Sequence, residues 1–250
     1  MIIDCHCHAG KGEGLTSPWD TRASLKLYML RAAKAGIKRT ALWATFHSDY
    51  NIANREVARI VASRPHRFYG FACIHPKRDR GRIYMMIKEA VKAYSFCGIK
   101  VHRHDAYITR EVCEVARCFS LPVVYDVMGE IAIVELLAQE YPDVPFIIPH
   151  LGSFTDDWKA HLFLIDQLVR HRNIYTDTSG VRRFDFLVQA VQRAGAKKIL
   201  FGSDGPWLHP AVELKKIFAL GLPRSEEQLI LGKNFLRLIS RIQTKKDICI

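Results

Sequence analysis

The sequence predicts a (β/α)8, or TIM, barrel folded as a single α/β domain, and three observations carry that expectation. Short β-branched runs recur from end to end, each followed by a longer stretch with apolar residues three and four apart. There are eight such runs. Eight β/α units also use up the 250 residues, leaving no Pro/Gly/Ser-rich linker, internal repeat or low-complexity tract to divide the chain. A doubly wound open sheet is the competing α/β arrangement, and the count of eight favours the barrel.

The expected strands are Ile2–His6, Arg39–Ala44, Phe68–Ile74, Gly98–His102, Pro122–Val127, Pro145–His150, Asn173–Asp177 and Lys198–Gly202. Helical spacing follows in, for example, Leu25, Tyr28, Met29 and Ala32, and again in Val112, Val115, Ala116 and Phe119. The barrel domain is expected over residues 1–243, with 244–250 as a C-terminal tail. The stretch from Ala9 to Asp20 holds Gly10, Gly12, Gly14, Pro18 and Trp19, which suits either a lid or an ordinary surface loop. Its GKGEG does not make a phosphate loop, because Leu15 stands where the third glycine would be needed.

Composition narrows the function classes. About 49% hydrophobic and 25% charged residues are ordinary for a globular chain, so disorder is not expected. No apolar run approaches the roughly 18 residues of a membrane span, and MIIDCHCH lacks a basic region before an apolar one. Seven dispersed cysteines without CxxC spacing argue against a disulfide framework or a zinc ribbon, and point to a reducing cytoplasm. With 37 Lys and Arg against 25 Asp and Glu, the formal charge is +12. Nucleic acid would want a clustered basic face with a reading element. The densest cluster here is Lys77, Arg78, Arg80 and Arg82, and pairs such as Arg55 with Arg59 or Lys88 with Lys92 sit at helical spacing as solvated faces. Neither nucleic acid nor a membrane is expected as a partner, and the sequence leaves both a monomer and a homo-oligomer open.

Chemistry concentrates at the expected strand ends. Residues two apart on a strand point to one face, so His6 and His8 of IDCHCH converge while Cys5 and Cys7 turn away. Two imidazoles on one strand end give the short bite a divalent ion needs, although an unrelated pair of histidines would read the same. The eighth strand runs into Asp204, the sixth into His150, the fifth carries Asp126, and the fourth delivers Lys100 and His102 with one parity. A charge at the inner end of a buried strand costs several kcal/mol unless it is paired or bound to a metal. Polar strand ends at the C-terminal face are where this architecture places catalysis.

Taken in order, IDCHCH, GIKVH, PHLG, YTDTSG, ILFGSDGPW and ILGKNFLRLI resemble the amidohydrolase-related metal-dependent hydrolases, in the branch that also holds aminocarboxymuconate semialdehyde decarboxylase. The resemblance runs nearly the whole chain. It implies a TIM barrel with one divalent ion on His6, His8 and Asp204, and His150 as the group that polarises substrate or water. The family pattern has a histidine on the fifth strand where this chain has Asp126. A carboxylate binds zinc as well and adds character suited to manganese or iron, so the expected ligand set is His6, His8, Asp126 and Asp204, with zinc first among the ions.

The expected activity is hydrolysis of an amide, lactone or ester in an anionic small molecule by a metal-activated water, with Asp204 and His150 as the catalytic pair. Metal-dependent decarboxylation of a small carboxylic acid is the main alternative, and a metal-independent lactonase or a scaffold without turnover are the others. Lys100, His102, Arg103 and Arg182 are expected to bind substrate, with Arg183 beside them. A carbamylated Lys100 bridging two metals is a minor reading. His47 and His75 are rim candidates, and His104 completes a second HxH with His102. A serine nucleophile is not expected: Phe201 precedes Gly202 where a G-x-S-x-G elbow needs glycine, and Ser203 reads as a packed hydroxyl.

Overall fold

The computed structural model describes residues 1–13 and 22–240. The expected C-terminal tail, and Gly14 to Asp20 of the glycine-rich stretch, lie outside the described residues. The elements in order are β1 (Ile2–Lys11), β2 (Arg22–Ala23), α1 (Leu25–Lys34), β3 (Ile37–Ala44), α2 (Tyr50–Ser63), β4 (Phe68–Gly70), β5 (Ala72–Cys73) and α3 (Ile83–Lys92). Next come β6 (Ile99–His102), α4 (Arg110–Phe119), β7 (Val123–Asp126), α5 (Ala132–Glu140), β8 (Phe146–Ile148), α6 (Trp158–Arg170) and β9 (Ile174–Asp177). The chain closes through α7 (Phe184–Ala194), β10 (Ile199–Leu200), α8 (Pro210–Ala219), α9 (Arg224–Gln228) and α10 (Asn234–Ile239).

Parallel pairing runs β1–β3–β4 and β5–β6–β7–β8–β9–β10. Two junctions join these into a barrel. Phe71 N–H donates to Leu42 O at 2.9 Å, so β4 and β5 are one barrel strand interrupted at Phe71. At the other seam Cys5 N–H donates to Phe201 O (2.9 Å) and His8 N–H to Gly205 O (2.6 Å), with Cys7 bridging Gly205. The eight expected strands are therefore the eight staves. β2 is an extra antiparallel strand that pairs Gly10 and Lys11 with Ala23 and Arg22.

The strands bury near-continuous Val, Ile, Leu and Phe because helices cover them outside and side chains fill the inside. Helix starts carry their own signals: Asp49 accepts from Asn51 N–H at 2.8 Å at the head of α2, and Asp157 from Lys159 N–H at 2.9 Å at the head of α6. None of the described helices is long and apolar enough to cross a membrane.

Candidate active site and metal centre

At the C-terminal ends of the staves lies a cavity of about 350 Å3. Its floor is polar, made by His6, His8, Lys100, His102, Asp126, His150 and Asp204. Its walls are apolar, from Phe46, Met128, Phe154, Trp207 and Leu208. Each polar group except half-buried His102 is less than 9% exposed.

β1 supplies His6 and His8, and the segment after β10 returns Asp204 to them across the barrel seam. Asp204 Oδ1 stands 3.2 Å from His6 Nε2 and 3.3 Å from His8 Nε2. The far nitrogens are engaged. His6 Nδ1 lies 2.8 Å from Asp177 Oδ2, and His8 Nδ1 lies 3.4 Å from the carbonyl of Ala44. Acceptors at both Nδ1 atoms keep a proton there, so both Nε2 atoms face the carboxylate. The indole N–H of Trp43 also approaches, at 3.4 Å from His8 Nε2. Acceptors gathered in this way want a cation, and imidazoles oriented through Nδ1 are the usual arrangement of metal-binding histidines. The donor set fits a divalent ion.

Electrostatics agree. Burial alone would keep His6 neutral, but Asp177 and then Asp204 outweigh it and lift its pKa to about 9. Burial pushes His8 down to about 4 against the pull of Asp204. Burial also opposes ionisation of Asp204, yet its bonds to His6 and His8 hold it well below the usual carboxylate range. The pocket thus keeps a carboxylate charged and draws positive charge to it, and an ion there displaces the proton on His6.

The backbone is bent to achieve this. His150 (φ 58°), Leu151 (φ 50°) and Asp204 (φ 52°) all lie in the left-handed region. That costs a bulky L residue about 1–3 kcal/mol and is characteristic of functional sites. Gly202 allows the seam to close: a Cβ there would lie 2.8 Å from His6 Cβ and 3.2 Å from Asp177 Cγ.

A second knot centres on Ser179, which follows β9. Its hydroxyl donates to Asp177 Oδ1 at 2.5 Å and lies 3.1 Å from His6 Nδ1 and 3.0 Å from His150 Nδ1. His150 Nδ1 also meets the Ser179 carbonyl at 2.8 Å, and the His150 N–H donates to Asp177 Oδ1 at 3.1 Å. Below, buried Asp4 accepts from Ser203 N–H at 2.9 Å, from Tyr28 OH at 2.7 Å and from the Ser203 hydroxyl. Ser203 is thus a hydrogen-bonded structural hydroxyl.

Of the other residues expected at the site, Lys100 and His102 line the cavity, with the Lys100 ammonium 5.2 Å from the centre of the Trp43 ring. Asp126 lines it too, but does not join His6, His8 and Asp204 in their ligand group. Arg103 and Arg182 do not reach the wall. Arg103 pairs with Glu130 at 3.0 Å and stacks on Tyr107, while exposed Arg182 reaches the carbonyl of Phe154 at 3.4 Å. Arg183 is held by Asp185 at 2.7 Å. His47 and His75 accept from local backbone N–H groups, and His104 packs edge-on against Phe46. Asp177, Ser179, Asp4, Trp43 and Trp207 were not singled out from the sequence. For Asp177 and Ser179 the signal was present in YTDTSG, a polar run at a strand end.

The amidohydrolase family model matches residues 3–240. No curated protein sequence gives a match. Among solved structures the fold superposes on 2,6-dihydroxybenzoate decarboxylase from Rhizobium with a TM-score of 0.75 and 16% identity, covering 96% of this chain and 99% of that one. A dihydroxybenzoic acid decarboxylase from Polaromonas, with bound manganese and the inhibitor 2-nitroresorcinol, gives 0.69 and 18%, covering 96% of each chain. A protein from Acinetobacter baumannii provisionally named 2-pyrone-4,6-dicarboxylic acid hydrolase, with citric acid bound, gives 0.75 and 16%, covering 96% and 99%. At these identities the structures speak for the barrel, while the family match spans nearly every described residue, and this chain belongs to the amidohydrolase family.

Proposed function

We propose that the protein is a hydrolase that cleaves an amide, lactone or ester bond in a small anionic molecule, using one divalent ion held by His6, His8 and Asp204. The observation that carries this reading is the convergence of the two Nε2 atoms on Asp204 Oδ1 at the cavity floor. Zinc is our assignment from the mixed nitrogen and oxygen donors, with manganese and iron as the ions the carboxylate also suits. When bound, such an ion polarises a carbonyl and lowers the pKa of water from about 15.7 toward 7.

The chain's own groups divide the remaining work. Asp204 accepts the water proton. It passes that proton to the leaving group, while His150, pinned through Nδ1 on Ser179, turns Nε2 to the cavity and steadies the developing oxyanion. Lys100 has no carboxylate partner among the described residues and is 4% exposed, so a substrate carboxylate is its natural counter-charge. Phe46, Phe154 and Trp207 exclude water and strengthen these interactions.

Decarboxylation is the second reading, favoured by the apolar walls: a poorly solvated carboxylate leaves readily as carbon dioxide, with a proton from His150 taking its place on carbon. We place the chain in the cytoplasm, in keeping with the buried free thiols Cys5 and Cys7 beside the site.

Metal analysis of protein purified without chelator, together with turnover of lactones, amides and aromatic acids, tests the proposal. We expect one equivalent of ion and release of acid, both lost in Asp204→Asn. Carbon dioxide release would move the assignment to decarboxylation. An ion-free protein that still opens lactones after reconstitution would remove the metal from it.

A further inference from the structure

Asp126 occupies the position where the family resemblance expects a histidine ligand, and its surroundings in this chain are those of a different role. It ends β7 directly opposite His102 at the end of β6, because the parallel register pairs the two residues. Its Oδ2 lies 3.2 Å from His102 Nε2 and 3.5 Å from His150 Nε2. Its Oδ1 accepts from Met128 N–H at 3.0 Å. Both oxygens are therefore engaged by protein.

The tautomer of His102 sharpens the point. Its Nδ1 accepts from His104 N–H at 3.0 Å, which places the ring proton on Nε2, facing Asp126. A metal ion on Asp126 Oδ2 would share that oxygen with the His102 N–H and compete with His150 for the rest of it. The described residues whose ligand atoms all lie within 4.8 Å of one another are His6, His8 and Asp204, or His6, His150 and Asp177, and Asp126 belongs to neither group.

We propose that Asp126 stays outside the ion's shell and is a positioning residue, aligning His102 and His150 along the cavity wall and leaving the ion three protein ligands. Three ligands with an open face is the pattern of a catalytic zinc, whereas four close the site. The sequence substitution then keeps the ion accessible to substrate. It also gives the sixth-strand histidine a fixed carboxylate neighbour that a histidine at position 126 would not supply. This inference rests on the metal-enzyme reading above, and its test separates the two.

Calorimetric titration of metal-stripped protein with zinc is the first arm. Asp126→Asn preserves shape but removes the charge and leaves one oxygen where His102 and Met128 N–H each now have their own. We expect it to bind one equivalent within about threefold of the wild-type affinity, while Asp204→Asn loses about 100-fold or more. An equal loss in Asp126→Asn would overturn the proposal. The second arm needs no ion: side-chain nitrogen NMR of the metal-free protein. His102 is expected as the single Nε2–H tautomer, and the ring signals of both His102 and His150 are expected to move in Asp126→Asn. An Nδ1–H tautomer at His102, or unmoved rings in the variant, would sink it. A wild-type protein that binds no zinc would defeat the metal reading, and the NMR arm would still decide the role of Asp126.

Discussion

Gly202 shows how much a single atom matters at the barrel seam. The site depends on His6 and Asp177 approaching each other across a residue with no side chain. Both neighbours sit on strands and have nowhere to retreat, so Gly202→Ala overpacks the seam at a cost of about 1–3 kcal/mol. We expect Tm to fall by several degrees, at about 2–4 °C per kcal/mol for a chain of this size, with weaker ion binding in the same variant. Wild-type values for both, from a thermal melt and a zinc titration, would refute the argument. At this scale the sequence was informative about which residues matter, and less so about where they turn. HxH spacing and the run into Asp204 located the cluster. Asp177 stayed hidden because its partner His6 lies on the other side of the ring closure. Arg103 pairs with Glu130, a loop residue with no periodic signal in the sequence.

The eight strands were legible as elements because each is a short apolar run bounded by turn residues and followed by helical spacing. The interruption at Phe71 and the added strand β2 were not, since both depend on pairings between distant segments. Another such pairing holds the loop after β9. From α8, Lys216 Nζ donates to Thr178 O and Val181 O, both at 2.9 Å, and to Glu213 Oε2 at 2.6 Å, while Gly180 N–H donates to Glu213 at 2.9 Å. The outer helix thus grips the turn that presents Ser179 to His6 and His150. Lys216→Met removes the ammonium from both carbonyls and leaves the buried Glu213 without its counter-charge. A loss of about 2–4 kcal/mol follows, with faster amide exchange at Ser179 and Gly180 than in the barrel strands. Adding Glu213→Gln should restore part of the stability, because the stranded charge is then gone. Unchanged exchange in that turn would show that α8 does not hold it.

Closure of the barrel has a consequence for the whole molecule, seen in its thiols. Burial raises Cys73 and Cys97, on different staves and loops of the ring, to about 12. In the unfolded chain such thiols titrate near 9, so between pH 9 and 12 the folded state holds protons that the unfolded state has lost. Stability from these groups is therefore complete below pH 9 and is lost as pH rises toward 12. Lys198 works the other way: burial, with Lys197 and Arg237, lowers it to about 8 from an ordinary 10.5, so its effect on stability improves as pH rises between those values. A difference measurement isolates the thiol. For Cys97 the linkage amounts to about 2 kcal/mol by about pH 10.5. That exceeds the loss of about 1 kcal/mol expected from the small cavity left by Cys97→Ala. Wild type should be the more stable protein at about pH 8, and the gap in urea midpoints should close and then invert by about pH 10.5. A gap that stays constant across that range would mean that Cys97 ionises as easily in the folded barrel as in the open chain, and that the ring of strands does not seal this part of the core.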